Sequence, residues 1–127
     1  MKDIKDINGI KMFVNEFYDG VQKDAVIGPV FNRVIADWGP HLEKMYAFWN
    51  AALFGIPGFK GNPFAKHAPL HLQPQHFSRW LELFNKTIDR NFEGPVATDT
   101  KNRAALMAVM FQNKIARAGD HVNRTIV

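Results

Sequence analysis

The sequence contains no cysteine. That excludes disulfides, thiolate-bound zinc, iron–sulfur clusters and covalent attachment of heme through C-x-x-C-H, and it fits a reducing, cytoplasmic compartment. No run of 18 apolar residues occurs, so no membrane-spanning helix is expected. The start, M-K-D-I-K-D-I-N, lacks the apolar stretch of a secretory leader. The basic residues are scattered, never two in a row, which argues against a nucleic-acid-binding tail. Alternating strand patterns, internal repeats and low-complexity segments are also missing.

What the sequence does have is aromatic side chains. Among 127 residues there are 11 Phe, 3 Trp and 2 Tyr. The length predicts one domain, residues 1–127, large enough to bury a real core. An aromatic core explains the composition, and so does a core built around a planar cofactor. Net charge is +4, from 16 basic and 12 acidic residues, consistent with a mixed, solvated surface and a monomer.

Apolar spacing predicts four long helices. Residues 7–23 carry Ile7, Ile10, Val14, Phe17, Tyr18 and Val21 on one face, with Asp6 or Asn8 as cap. Gly28-Pro29 breaks the pattern, and a short helical turn through Phe31 follows. Asp37 caps a helix over 38–54, whose apolar face carries Trp38, His41, Met45, Phe48, Trp49, Ala52 and Leu53; Gly55 ends it. A third helix, 75–92, buries Phe77, Trp80, Leu81, Phe84, Ile88 and Phe92. It turns Arg79, Glu82, Lys86, Asp89 and Arg90 to solvent. The last, 98–118, points Ala104, Met107, Ala108, Phe111 and Ile115 inward and stops at Gly119. The fold class is all-α.

The stretch F-K-G-N-P-F-A-K-H-A-P-L-H, residues 59–71, is an irregular loop that presents His67 on a short turn, stopped by Pro69. His71 and His76 follow. His67 and His71 have zinc spacing only on an unbroken helix, which Pro69 prevents, and no carboxylate lies near them in sequence. There is no phosphate loop, no Ser-His-Asp order and no H-E-x-x-H. A neutral imidazole, a pocket of large apolar side chains, polar donors on its far side and basic residues at its rim are what a heme that binds dioxygen requires. A heme-free helical bundle that binds a partner through its aromatic faces is the competing explanation.

Five motifs in order decide between them. These are F-Y-D-G-V (17–21), G-P-V-F (28–31), H-L-E-K-M-Y-A-F-W (41–49), F-K-G-N-P-F-A-K-H (59–67) and H-F-S-R-W-L-E-L-F (76–84). Together they resemble a truncated hemoglobin of group III, over nearly the whole chain. His41 with Trp49 eight residues on, and Trp80 thirteen residues after His67, carry the group assignment. One departure is Phe59, where many relatives have tyrosine.

The resemblance implies a compressed globin, two helices over two, holding heme b noncovalently. It implies His67 as the proximal iron ligand and Tyr18, His41 and Trp80 as the polar cluster around bound O2 or CO. It implies heme contacts from Phe31, Met45, Phe48, Trp49, Phe64, Phe77 and Phe111, with Lys44 as a propionate partner and His71 and His76 at the rim. The implied role is peroxidase-like or detoxifying redox chemistry with an unidentified reductase. A six-coordinate heme, with His41 on the iron, is the alternative.

Overall fold

The computed structural model describes residues 1–59 and 73–126, with side chains as far as residue 114. Five helices account for most of them: α1 (Ile7–Lys23), α2 (Gly28–Val34), α3 (Trp38–Phe54), α4 (Pro74–Asn91) and α5 (Pro95–Ile126). No strand occurs among the described residues. Helix α1 is the hub. It packs on α2, α3 and α4, and α4 in turn packs on α5.

The ends of α1 and α3 follow from local chemistry. Asp6 accepts a hydrogen bond from the Asn8 N–H (2.9 Å) and Asp37 from the Gly39 N–H (3.2 Å), each satisfying a donor that a first turn leaves open. Gly55 closes α3 with φ of 66°, the left-handed conformation that glycine adopts without penalty. At α4 the cap is shared with a histidine. The Gln73 N–H donates to His76 Nδ1 (2.9 Å) and the His76 N–H donates back to the Gln73 carbonyl (2.9 Å). His76, expected at the rim of a cofactor site, therefore has a structural task at the start of α4.

Three expectations need correction. The last helix begins at Pro95 rather than Thr98, because proline fits the first helical turn, where its missing N–H costs nothing. It also runs through Gly119 to Ile126; an interior glycine costs about 1 kcal/mol against alanine but does not by itself end a helix. On α1, Ile7 is exposed and Phe13 is fully buried, so the inward face sits further round than the spacing indicated.

Arg79 is also not simply solvated. Its Nε and a terminal nitrogen both donate to Asp24 Oδ1 (2.8 and 2.6 Å), and that carboxylate is only 5% exposed. Asp24 also accepts from the Val26 and Ile27 N–H groups (3.0 Å each). One carboxylate thus fixes the α1–α2 corner and ties it to α4. Arg79's hydrogen bonds hold the Asp24 carboxyl below its ordinary value, and they outweigh the opposing effect of burial.

The N-terminal segment is tied down by Asp3, whose carboxylate accepts from Val96 and Ala97 (2.9 and 2.8 Å) at the start of α5. Ile4 beside it is fully buried, and the Glu93 N–H donates to the Lys2 carbonyl (3.1 Å). Gly94 makes this approach possible. Its φ is 143°, and a Cβ there would lie 2.5 Å from Asp3 Cγ.

Candidate functional site

Where α1, α3, α4 and α5 meet, nine side chains close on a small cavity: Val14, Phe17, Tyr18, Met45, Phe48, Trp49, Trp80, Phe84 and Met107. None is charged. The enclosed space is about 10 Å³, the size of a single water.

Ring packing sets the cavity's shape. Trp49 and Trp80 each lie nearly parallel to Phe84, at 5.4 and 5.5 Å between centroids and 23° and 14° between planes. Phe13 and Phe17 meet the Phe84 ring edge-on at 5.8 and 5.2 Å. Such offset-parallel and edge contacts suit the quadrupoles of aromatic rings, and each adds about 0.5–1.5 kcal/mol beyond area burial. Phe84, 2% exposed, is the centre of this cluster.

A second group of rings sits where α1 faces the start of α3. Tyr18 meets His41 edge-on at 5.0 Å, Trp38 meets His41 edge-on at 5.5 Å, and Trp38 lies 5.7 Å from Tyr18. The three rings form a closed triangle. The helical period explains why: residues 38, 41 and 45 rise along one face of α3, and Tyr18 comes opposite them from α1.

Two polar groups here are unlike their surroundings. The Trp80 Nε1–H is buried and has no acceptor among the described residues. An unpaired buried donor costs about 1–3 kcal/mol, so such groups are rare in native folds and point to a missing partner. The Tyr18 hydroxyl is the other. Burial pushes its pKa well above that of an ordinary tyrosine, so it stays protonated and is able to donate at any working pH.

The site residues expected from sequence, His76 apart, divide into five sets. Tyr18, Met45, Phe48, Trp49 and Trp80 all line the cavity. His41 is buried beside it, through its contact with Tyr18. Phe31, Phe77 and Phe111 are buried in the core but are not among the nine lining residues. Lys44 lies on the outward side of α3, in a surface groove with Glu43, Ala47, Gly58 and Phe59. His67, Phe64 and His71 lie outside the described residues. Val14, Phe17, Phe84 and Met107 line the cavity without having been singled out as site residues, although each flanks or shares a helical face with a residue that was.

This geometry has a counterpart among known proteins. The family model for bacterial-like globins matches residues 5–116. The chain is a bacterial-like globin. It is 34% identical over 110 residues to the group 3 truncated hemoglobin ctb of Campylobacter jejuni, spanning 83% of this chain and 87% of that one. The crystal structure of a group III truncated hemoglobin from Campylobacter jejuni superposes with a TM-score of 0.81 at 31% identity, covering 91% of this chain and 95% of the other. The globin thus has the all-α truncated fold expected from its motifs. Membership of the family brings heme-based ligand binding. No described helix is long and apolar enough to cross a membrane.

The chemistry of the globin's lining residues, rather than the space they enclose, suits such a cofactor. Porphyrin faces are apolar, and the nine lining residues offer aromatic rings and two thioethers with no charge to desolvate. The Trp80 N–H, without an acceptor among the described residues, is a donor on one of these lining residues.

Proposed function

We propose that this globin, a single domain over residues 1–127, holds heme b noncovalently with His67 as proximal ligand. Tyr18, His41 and Trp80 surround a small diatomic ligand, O2 or CO, on the other side. Met45, Phe48, Phe64 and Trp49 form apolar pocket walls, and Phe31, Phe77 and Phe111 back them from the core. Lys44, His71 and His76 serve the propionate edge. Heme, when bound, supplies an iron that coordinates the ligand and exchanges electrons with it.

The observation that carries this reading is the buried Trp80 N–H, without an acceptor among the described residues, on a side chain that lines the same cavity as Tyr18, where no described lining residue is charged. Both side chains line the same small space. A ligand with partial negative charge accepts from them, and in a dry cavity such bonds are stronger than in water. Phe48, Trp49 and Met45 exclude bulk water that would compete for the same donors. Donors of this strength slow ligand release. Slow release suits redox chemistry on a retained ligand, of a peroxidase-like or detoxifying kind supported by a reductase, better than bulk oxygen transport. A monomer working in the cytoplasm belongs to the same proposal.

Absorption spectra test it. The purified protein shows an intense Soret band that shifts on reduction and again under CO, and His67→Ala loses it. A band that ignores CO assigns His41 to the iron and replaces ligand binding by electron transfer. No band after addition of hemin removes the proposal altogether.

A further inference from the structure

Of the three tryptophans, Trp49 is 4% and Trp80 is 9% exposed, and both line the cavity. Trp38 differs on both counts. It is only half-buried, it lies at the N-terminus of α3 among the exposed residues Asp37, Gly39 and Pro40, and it is not a lining residue. Yet its ring reaches inward to touch both Tyr18 and His41, at 5.7 and 5.5 Å between centroids. Tyr18 itself lines the cavity. A continuous aromatic path, one or two rings long, therefore joins the pocket to the surface. Tyr46, the other tyrosine, is differently engaged: its hydroxyl donates to Asn15 and Lys11 Nζ sits 5.7 Å from its ring centroid.

From this geometry we infer that Trp38 is a surface site of one-electron oxidation, where phenolic donors too large for the pocket are oxidised. The inference rests on the heme reading above. Hydrogen peroxide is the oxidant. It takes two electrons from the pocket and leaves as water, and the electrons are replaced one at a time through Trp38. Each time, the indole gives an electron inward by way of Tyr18 or His41 and regains one from a phenol at the surface, whose proton goes to solvent. The sum is H2O2 + 2 ArOH → 2 H2O + 2 ArO•. Indole and phenol are the side chains most easily oxidised by one electron, and an indole, having a polar N–H on an apolar body, presents a face on which an aromatic donor stacks.

The test uses heme-loaded protein and a phenol coupled to dextran, which cannot enter the cavity. Wild-type protein mixed with hydrogen peroxide and frozen gives a tryptophan-radical signal by electron paramagnetic resonance, and peptide mass analysis finds oxidised indole at Trp38 in preference to Trp49 and Trp80. Trp38→Phe, which keeps an apolar ring in place, loses that signal and oxidises the dextran-phenol at least tenfold more slowly, while the Soret band and its CO shift are unchanged. Trp38→Tyr restores part of the rate, because an oxidisable ring returns. Equal rates in wild type and Trp38→Phe, or oxidation confined to Trp49 and Trp80, overturn the assignment and leave the heme reading standing. Absence of the Soret band in wild-type protein overturns both. Should Trp38→Phe fail to fold, the peptide map of the wild-type protein decides alone.

Discussion

The indole of Trp80 lies almost parallel to the ring of Phe84, with 14° between planes and 5.5 Å between centroids. Stacking fixes the indole, and the N–H stays buried with nothing among the described residues to accept it. Trp80→Phe is therefore expected to leave the ligand-free fold as stable or up to about 1 kcal/mol more stable in urea, because an unpaired donor disappears. The same change speeds O2 dissociation from the heme-loaded protein. Loss of stability together with an unchanged off-rate would show that Trp80 serves only packing.

Tyr18→Phe separates hydroxyl from ring. The ring contacts with Phe17, Trp38 and His41 persist, while the donor goes. O2 dissociation is expected to rise about ten- to a hundredfold, the equivalent of one hydrogen bond to a partly charged acceptor. Stopped-flow displacement of O2 by CO measures it. An unchanged off-rate takes Tyr18 out of the ligand's surroundings.

Phe84→Ala removes the ring against which both tryptophans stack and which two phenylalanines meet edge-on. The expected loss is about 3–5 kcal/mol in chemical denaturation. Phe84→Leu refills most of the volume and loses less. A loss under about 1 kcal/mol for alanine would mean that Trp49 and Trp80 collapse onto each other.

Acid weakens the Asp24 clamp in a defined window. Arg79 holds the folded-state carboxyl below its ordinary value of 3.8, so the stabilisation is complete above that value. It is lost as pH falls through the still lower folded value, where the native carboxylate finally takes up its proton. Asp24→Asn is expected to lower stability at neutral pH and to flatten the acid limb below about pH 4 relative to wild type. Parallel pH profiles for the two proteins would assign the acid sensitivity elsewhere.

Much of this molecule is legible in its sequence, and the reasons are local. Asp6, Asp37 and Gly55 mark helix ends within a residue, because caps act on backbone groups two or three positions away. The stripe Trp38–His41–Met45–Trp49 is readable because a helix repeats itself. What escapes is what comes from the partner helix. Phe13 is buried and Ile7 exposed because α3 and α4 decide where the middle of the α1 face lies. Tyr46 is buried because Asn15, on α1, accepts its hydroxyl proton. Trp38 reads as one more core residue, since its position between Tyr18 and the surface exists only once α1 and α3 have packed. Gly119 looks like a stop because glycine so often is one.

Asp3 holds the start of α5, 93 and 94 residues further along the chain. Asp3→Ala is expected to cost about 1 kcal/mol, as for loss of an N-terminal cap. During synthesis this contact has to wait. A ribosome releases the N-terminus first, and Asp3 meets no partner until residues 96 and 97 have emerged. Earlier still, until residues 74–91 have emerged, the apolar face of α1 that packs on α4 is uncovered. The N-terminal clasp is thus the last to form, and a fusion partner joined ahead of Met1 has to leave room for it to close.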